Sequence, residues 1–297
     1  MQVNIVIPVH NRIDVTMECL SCLEGQTYNN YKIIVVDDGS TDGTCERIKS
    51  KYEDVEILSG DGTLWWSGAM YLGVEHILTF AKDTDYILSL NNDTAFGREL
   101  IESLVRVSQH YGQAIVGSME KNYYNREEIL YLGEWLDWQT FKFIPEQRLP
   151  EKKNINVNEH VNVLPGRGML IPVEVIKKIG NFNKVDFPHY ISDYEFTMRA
   201  FNRGIRLLLS YDSVVYTRPD TTGISVRKGL EPLILKEAYV HLFSIKSTNN
   251  IFDFINFIKL HCPKKYKFKN ILRLIVASIF DLKLMWPLRK LTVNYFK

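Results

Sequence analysis

Two short apolar runs that stop abruptly in acids and amides constrain this chain most. Ile33 to Val36 leads into Asp37-Asp38-Gly39-Ser40-Thr41-Asp42, and Tyr86 to Leu90 leads into Asn91-Asn92-Asp93-Thr94. Runs this short, bounded by turn formers, read as strands buried on both faces, the pattern of a parallel sheet covered by helices. In open sheets of that kind ligands bind outside the carboxyl ends of the strands, so Asp37, Asp38 and Asp93 are expected at one crevice. A carboxylate there suits Mg2+ or Mn2+, which takes one or two from a protein and its other ligands from phosphate oxygens and water.

The remaining sequence predicts an α/β chain. Val3 to Val9 is a strand running into His10-Asn11-Arg12, and further strands are expected at Tyr31–Asp37, Val55–Leu58, Tyr86–Leu90 and Ala114–Ser118. Helical spacing marks Val15–Leu23, a segment capped by Asp42, Ala69–Lys82 and Glu99–Tyr111. This alternation predicts a Rossmann-like half over residues 1–118, with helices on both faces of a mostly parallel sheet. After Ser118 the rhythm changes. Ile129–Ile144 is strand-like, 150–159 is a polar connector, and Val161–Pro172 reads as a strand interrupted by Gly166-Arg167-Gly168. Helices are expected at Val173–Ile179 and Asp193–Asn202 and a strand at Arg206–Val215, so 119–230 would form a second substrate's pocket. A helical extension follows over 231–297.

Charge separates that extension from the body. Residues 259–297 hold ten Lys or Arg against Asp281 alone, a balance of +9, and the rest of the chain carries −8 of a total of +1. Basic residues interleaved with apolar bulk, as in Lys264–Phe280, suit an anionic membrane surface, a terminal hairpin or an oligomer contact, with a homodimer among the options. No uncharged run reaches the 18 or so residues that a span requires, and no nucleic-acid partner is expected. Cys19 and Cys22 lie in a helical segment without nearby His ligands, and read as buried thiols. With a strand at Gln2–Val9 in place of a cleavable leader, the chain is expected in the cytoplasm, peripheral on the inner face of the plasma membrane.

Each polar motif keeps two readings. Asp37 and Asp38 either close a turn or hold ribose hydroxyls, a base edge or a cation. Asn91-Asn92-Asp93 either forms an Asx-turn or supplies a metal ligand. Ser59–Gly68 has Trp65 where a dinucleotide fingerprint needs its third Gly, yet the small residues from Gly60 could cradle a phosphate, and Trp66 could floor a pocket or join the core. Asp193 in His189–Glu195 is either a helix cap or a base within reach of an acceptor hydroxyl.

Together these segments resemble the inverting glycosyltransferases of family 2, which have a GT-A fold, over roughly Gln2 to Val215. Ile7-Pro8-Val9-His10-Asn11-Arg12 matches the opening strand and turn, and Val35–Asp42 the strand whose acids hold the nucleoside. Leu90–Thr94 matches the D-x-D position, with Asn91 replacing the first acid. Val163–Met169 matches the acceptor-side strand, and Tyr190–Ala200 the E-D-x-D-x-x-x-R segment, with Ser192 in place of Glu. The resemblance implies Asp193 as catalytic base and Asp93 as metal ligand. It implies a donor site, for a UDP- or dTDP-sugar, of Pro8, His10, Asn11, Arg12, Asp37, Asp38, Gly60, Trp66, Asn91, Asn92 and Asp93. The acceptor side, for a saccharide or lipid-linked hydroxyl, would be Gly166, Arg167, Gly168, His189, Tyr190 and Glu195, with Arg167 or Arg199 binding phosphate. Thr217-Arg218 stands where many relatives carry a His, and no Q-x-x-R-W motif of processive polymerases is present. The Trp65-Trp66 loop is similar to that of the subgroup building bacterial surface polysaccharides such as capsule or O-antigen, rhamnosyltransferases among them. Two alternatives stay open: a sugar-phosphate nucleotidyltransferase, and a non-catalytic carbohydrate-binding protein of the same fold.

Overall fold

The computed structural model describes residues 1–147, 156–219, 239–240 and 242–281; residues 231–238 and the Leu284–Lys290 segment of the extension lie outside them. In chain order the elements are β1 (Val3–Val9), α1 (Ile13–Leu23), β2 (Tyr31–Asp37), α2 (Thr44–Lys51), β3 (Glu56–Ser59), α3 (Trp65–Leu78), β4 (Tyr86–Ser89), β5 (Thr94–Phe96), α4 (Leu100–His110), β6 (Ile115–Asn122), β7 (Ile129–Tyr131), β8 (Glu134–Asp137), β9 (Lys142–Pro145), β10 (Val157–Asn158), β11 (Met169–Pro172), α5 (Val173–Ile179), α6 (Ser192–Asn202), β12 (Leu207–Thr217), α7 (Ile251–His261) and α8 (Lys264–Asp281).

Ten strands form one sheet, ordered β10-β12-β6-β11-β4-β1-β2-β3, with β5 on β12 and β7 on β6. β1 pairs in parallel with both β2 and β4, and β2 with β3. β11 runs antiparallel between β4 and β6, and β12 is parallel to β6, so six of the ten strands point the same way. Alternation along β1 sends Val3, Ile5, Ile7 and Val9 into a core with α1 and α4, and Val6 into a second core with α3, α5 and α6. The chain leaves β1 for β2 on one side and returns to β4 on the other, which makes the β1–β4 boundary the switch point where ligands bind in such sheets. Pro8 helps to open it. Its nitrogen faces the β4 side, beyond the last partnered pair of Val6 with Ser89, so the missing N–H breaks no ladder bond.

Several boundaries depart from the sequence reading. α3 begins at Trp65 rather than Ala69, so both tryptophans lie in a helix. Val161–Pro172 is a strand only from Met169, because the segment before it bonds elsewhere: Leu164 N–H donates to Thr197 Oγ1 at 3.1 Å and Gly166 N–H to Asp193 at 2.8 Å. Asp42 precedes the formal cap of α2, Gly43, and its carboxylate accepts both Thr44 N–H (3.1 Å) and Ile13 N–H (3.0 Å), tying the starts of α1 and α2 together.

The chain divides into two compact units, the first made of Met1–Leu136, Phe143–Pro188 and Ser192–Thr221. The second comprises Asp137–Lys142, His189–Ile191 and the described residues beyond Thr222. Its core is aromatic: Trp138 stacks on Phe257 at 5.7 Å, and Phe141 meets Phe254 edge-on at 6.2 Å. Asn250 caps α7 by accepting Phe252 N–H at 3.0 Å.

Candidate active site

At the ends of β1 and β2 the polar side chains bond one another before any ligand. Asn11 and Arg12 are left-handed (φ 58° and 65°), a conformation that holds only where neighbours fix it. Asn11 N–H donates to Ser40 Oγ at 2.7 Å, its side-chain oxygen accepts Thr41 N–H at 2.9 Å, and His10 Nδ1 lies 2.6 Å from the Asp38 carbonyl. Asp37 accepts from Ser40 N–H and Oγ and from the Cys45 thiol. Asp38 accepts Gly62 N–H at 2.8 Å through one oxygen and Trp65 N–H at 3.0 Å through the other, so it pins the loop before α3. A Cβ on Gly60 would stand 2.6 Å from Asp38 Oδ1, which is why only glycine fits. Both aspartates therefore organise the crevice wall, and each Asp38 oxygen keeps a second lone pair for a ligand.

The β4 turn is held from three directions. Trp66 Nε1 donates to Asn91 Oδ1 at 2.9 Å; Asn92 is buried, donating to Thr16 Oγ1 at 2.8 Å, and so faces the body instead of the crevice. Arg218, just past β12, donates to the Asp93 carbonyl at 2.9 Å and to Glu18 at 2.5 Å, over the Tyr123 ring at 3.7 Å. The Asp93 carboxylate has Arg12 at 3.3 Å. Among the described residues no three His, Cys, Asp or Glu side chains gather into a metal cage. The fitting donor set is thus one carboxylate, Asp93, completed by a ligand's phosphates, the way Mg2+ is usually held at phosphate sites.

Across the switch point sits a group of acids, Glu120 buried and Glu134 and Asp193 half-buried. Asp193, at the start of α6, accepts Gly166 N–H at 2.8 Å and Tyr194 N–H at 2.9 Å. Burial nevertheless raises its pKa above the usual carboxylate value. Glu120 and Glu134 are raised by burial too, and neighbouring acids, Asp193 among them, add to it. Glu120 lies 3.3 Å from Arg167 through one oxygen while its Oε1 has no hydrogen-bond partner, and Glu134 accepts the Tyr194 hydroxyl at 2.8 Å. Burial works against the Arg167 charge, but Glu120, Asp93 and Asp193 together outweigh it and raise its pKa. Arg167 is thus electrostatically coupled to both aspartates. Trp66 ties the same two places sterically, because a Cβ on Gly166 would meet its ring at 2.4 Å and Asp193 Cβ at 3.5 Å. Gly168 (φ 75°) is equally confined, its virtual Cβ 2.6 Å from Ser118 Oγ.

Sequence reasoning missed Glu120, Glu134 and Tyr194 as site residues; the one signal was a glutamate directly after the apolar run Ile115–Met119. The readings of Glu195 and Arg199 are corrected. Glu195 is buried and pairs with Arg199 through both oxygens at 3.0 Å, and Arg199 also donates to the carbonyls of Ile179 and Asn181. The pair clamps α6 to the end of α5 instead of facing an acceptor or a phosphate. His189 and Tyr190 belong to the second unit, where their rings lie 4.3 Å apart and burial, aided by Lys246, lowers the His189 pKa to about 4.

The model of glycosyl transferase family 2 matches residues 4–180. The chain belongs to this family. Its similarity extends to a poly(ribitol-phosphate) beta-glucosyltransferase of Bacillus spizizenii, 28% identical over 76% of this chain and 34% of the relative. It also extends to the glycosyltransferase AglE of Haloferax volcanii, 26% identical over 71% of this chain and 65% of the relative. The chain thus spans from a third to two thirds of the length of these relatives. Among solved structures, S. aureus TarS 1-349 in complex with UDP-GlcNAc has a TM-score of 0.61 at 14% identity, covering 96% of this chain and 90% of that one. The fold is accordingly GT-A. As a family 2 chain it handles its departures inside the body: Ser192, in place of Glu, bonds Ser67 Oγ at 2.7 Å, and Arg218, near the position of the absent His, is buried against the β4 turn.

Proposed function

We propose that this chain is an inverting, metal-dependent glycosyltransferase that moves a sugar from a UDP- or dTDP-sugar to a hydroxyl of a saccharide or lipid-linked acceptor during cell-surface glycan synthesis. The observation that carries the reading is the coupling of Asp93 and the half-buried Asp193 through Arg167 and Trp66 at the switch point. A relative whose name gives it glucosyl transfer to poly(ribitol-phosphate), and a structural neighbour holding UDP-GlcNAc, support the substrate classes.

In this reading residues 1–118 seat the donor and 119–230 the acceptor. Asp93 would hold Mg2+ or Mn2+, which when bound supplies Lewis-acid neutralisation of the departing diphosphate. The ordered β1 and β2 loops, fixed by Asp37, Asp38 and Asn11, orient the nucleoside. Arg12 sits beside Asp93 with its guanidinium partly exposed, placed to meet phosphate. Asp193 takes the acceptor proton as the oxygen attacks the anomeric carbon from the face opposite the leaving group. Its raised pKa makes it the stronger base once ionised. The test is a panel of sugar nucleotides, scored for Mn2+-dependent nucleoside diphosphate release and for thermal stabilisation, since a bound donor raises apparent stability by mass action. One donor class is expected to give both. No response to any member, or pyrophosphate release from a nucleoside triphosphate and a sugar phosphate, would overturn the proposal.

A further inference from the structure

Helix α8 carries apolar residues on a side that does not pack on its own unit. Phe268, Leu272, Ile275 and Val276 fall at i, i+4, i+7 and i+8, the spacing of one apolar stripe, and they are 80%, 50%, 38% and 41% exposed. Toward the unit, Asn270 is fully buried and donates to the Trp138 carbonyl at 2.8 Å, Ser278 is buried, and Ile271 and Leu274 between them are half-buried. Asn270 and Leu274 lie two and six positions from Phe268, on the other side of the helix from it, so the exposed stripe and the packed side are separate faces.

Charge identifies the occupant. Lys264, Lys265, Lys267, Lys269 and Arg273 border the stripe, and no acid lies between Lys264 and Ser278. Lys269 and Arg273 donate to the Gln139 carbonyl, at 3.4 Å and 2.8 Å, and Arg273 also lies near the Asp137 carboxylate. An apolar stripe bordered by a run of cations with no acid among them in the helix complements a surface with acyl chains below and anionic headgroups above. The exposed stripe is about 12 Å long at 1.5 Å per residue, which suits a helix lying in the interface, and among the described residues no helix is long and apolar enough to cross a membrane.

We infer that α8 is an in-plane anchor whose Phe268–Val276 stripe enters an anionic lipid surface while the flanking lysines contact the headgroups. This goes beyond the proposed reaction and does not depend on it, because its readout needs no turnover. The full chain is floated with phosphatidylcholine vesicles, with and without phosphatidylglycerol. Flotation is expected only with the anionic lipid and is expected to fall as salt rises. The double variant Phe268→Asp/Leu272→Asp should bind at least about tenfold more weakly, and Lys264→Glu/Lys265→Glu similarly, each lysine near such a surface being worth about fivefold. All four positions are exposed, and unchanged circular dichroism and thermal unfolding verify folding. The idea falls if the wild-type chain does not float, if it floats equally with neutral vesicles, or if both variants bind as the parent does. It falls equally if the stripe variants only convert a dimer into a monomer without affecting lipid binding, which would make a second copy the occupant.

Discussion

The two walls of the crevice use the same residue types in opposite ways. At the ends of β1 and β2, Asp37 and Asp38 are supplied with donors: backbone N–H groups of Ser40, Gly62 and Trp65, a hydroxyl and a thiol. Across the switch point Asp193 also accepts two backbone N–H groups, but Glu120 has only the Arg167 guanidinium at 3.3 Å, Glu134 accepts the Tyr194 hydroxyl, and all three have pKa values raised by burial. A carboxylate surrounded by N–H groups is a structural tie. A carboxylate partly kept from water has its proton affinity raised, as acids used in proton transfer do. The comparison teaches that one residue type either builds the wall or sits where its proton affinity rises, according to its neighbours.

Asp193→Asn should give the largest effect. Removing the base is expected to lower kcat by about 10²–10⁴, or about 3–5 kcal/mol of barrier, with donor affinity almost unchanged by calorimetry. Since the variant also removes a half-buried charge, its stability at neutral pH should hold or rise. The wild-type kcat profile should show an acid limb above the ordinary carboxylate range, lost in the variant. Near-parental turnover would remove Asp193 from the base role.

Asp38→Ala probes the other wall. Two backbone N–H groups lose a charged acceptor, and at about 1.5–3 kcal/mol per such bond the expected loss is about 3–6 kcal/mol of stability, read by urea unfolding. Donor affinity should fall with it, because the Gly60–Trp65 loop is released. If Asp38→Ala instead lowered kcat alone with full stability, the division between tie and reactive group would fail.

Gly166→Ala tests the contact that joins the walls. The new methyl would meet Trp66 at 2.4 Å and must displace the ring or the strand, an overpacking expected to cost about 1–3 kcal/mol. Turnover should drop more than stability, since Gly166 N–H also orients Asp193. The companion Trp66→Phe/Gly166→Ala should recover part of the stability; no recovery would mean that the strain lies elsewhere.

How far this could be read beforehand depended on what each residue answers to. The strands β1 to β4 were legible because a buried strand must be apolar and must end in turn formers, and Asp93 and Asp193 stood out against those backgrounds. The antiparallel β11 was not, because Met169–Pro172 looks like any buried strand and its direction is set by the path of the chain between β4 and β6. Glu195 looked like part of an acidic site, yet the i,i+4 spacing to Arg199 already offered a partner on the same helix face. Glu120 looked like the polar end of a strand; it is flanked by Tyr131 of β7 and Val215 of β12 and meets Arg167, all distant in sequence. Tertiary neighbours decide whether a carboxylate is tied or tuned, and spacing within the chain carries little of that information.

If burial alone produces the second kind of carboxylate, it should do so away from the crevice as well. Asp253 provides the case: it is buried in the first turn of α7, and burial raises its pKa to about 6. A helix N-terminus favours the charged form by only about 0.3–1 kcal/mol, less than the desolvation that opposes it. The sign follows from linkage. With the folded pKa above the unfolded value of about 3.9, this group's stabilising contribution is complete below pH 4 and is lost as pH rises through 6. Asp253→Asn should therefore leave stability near pH 4 unchanged and raise it by about 1–2 kcal/mol at pH 7.5, less than the full titration energy because an amide must be buried instead. Thermal melts of both proteins at the two pH values read the difference directly. A variant less stable at pH 7.5 would show that the Asp253 charge is paired, and that burial does not by itself separate the two kinds of acid.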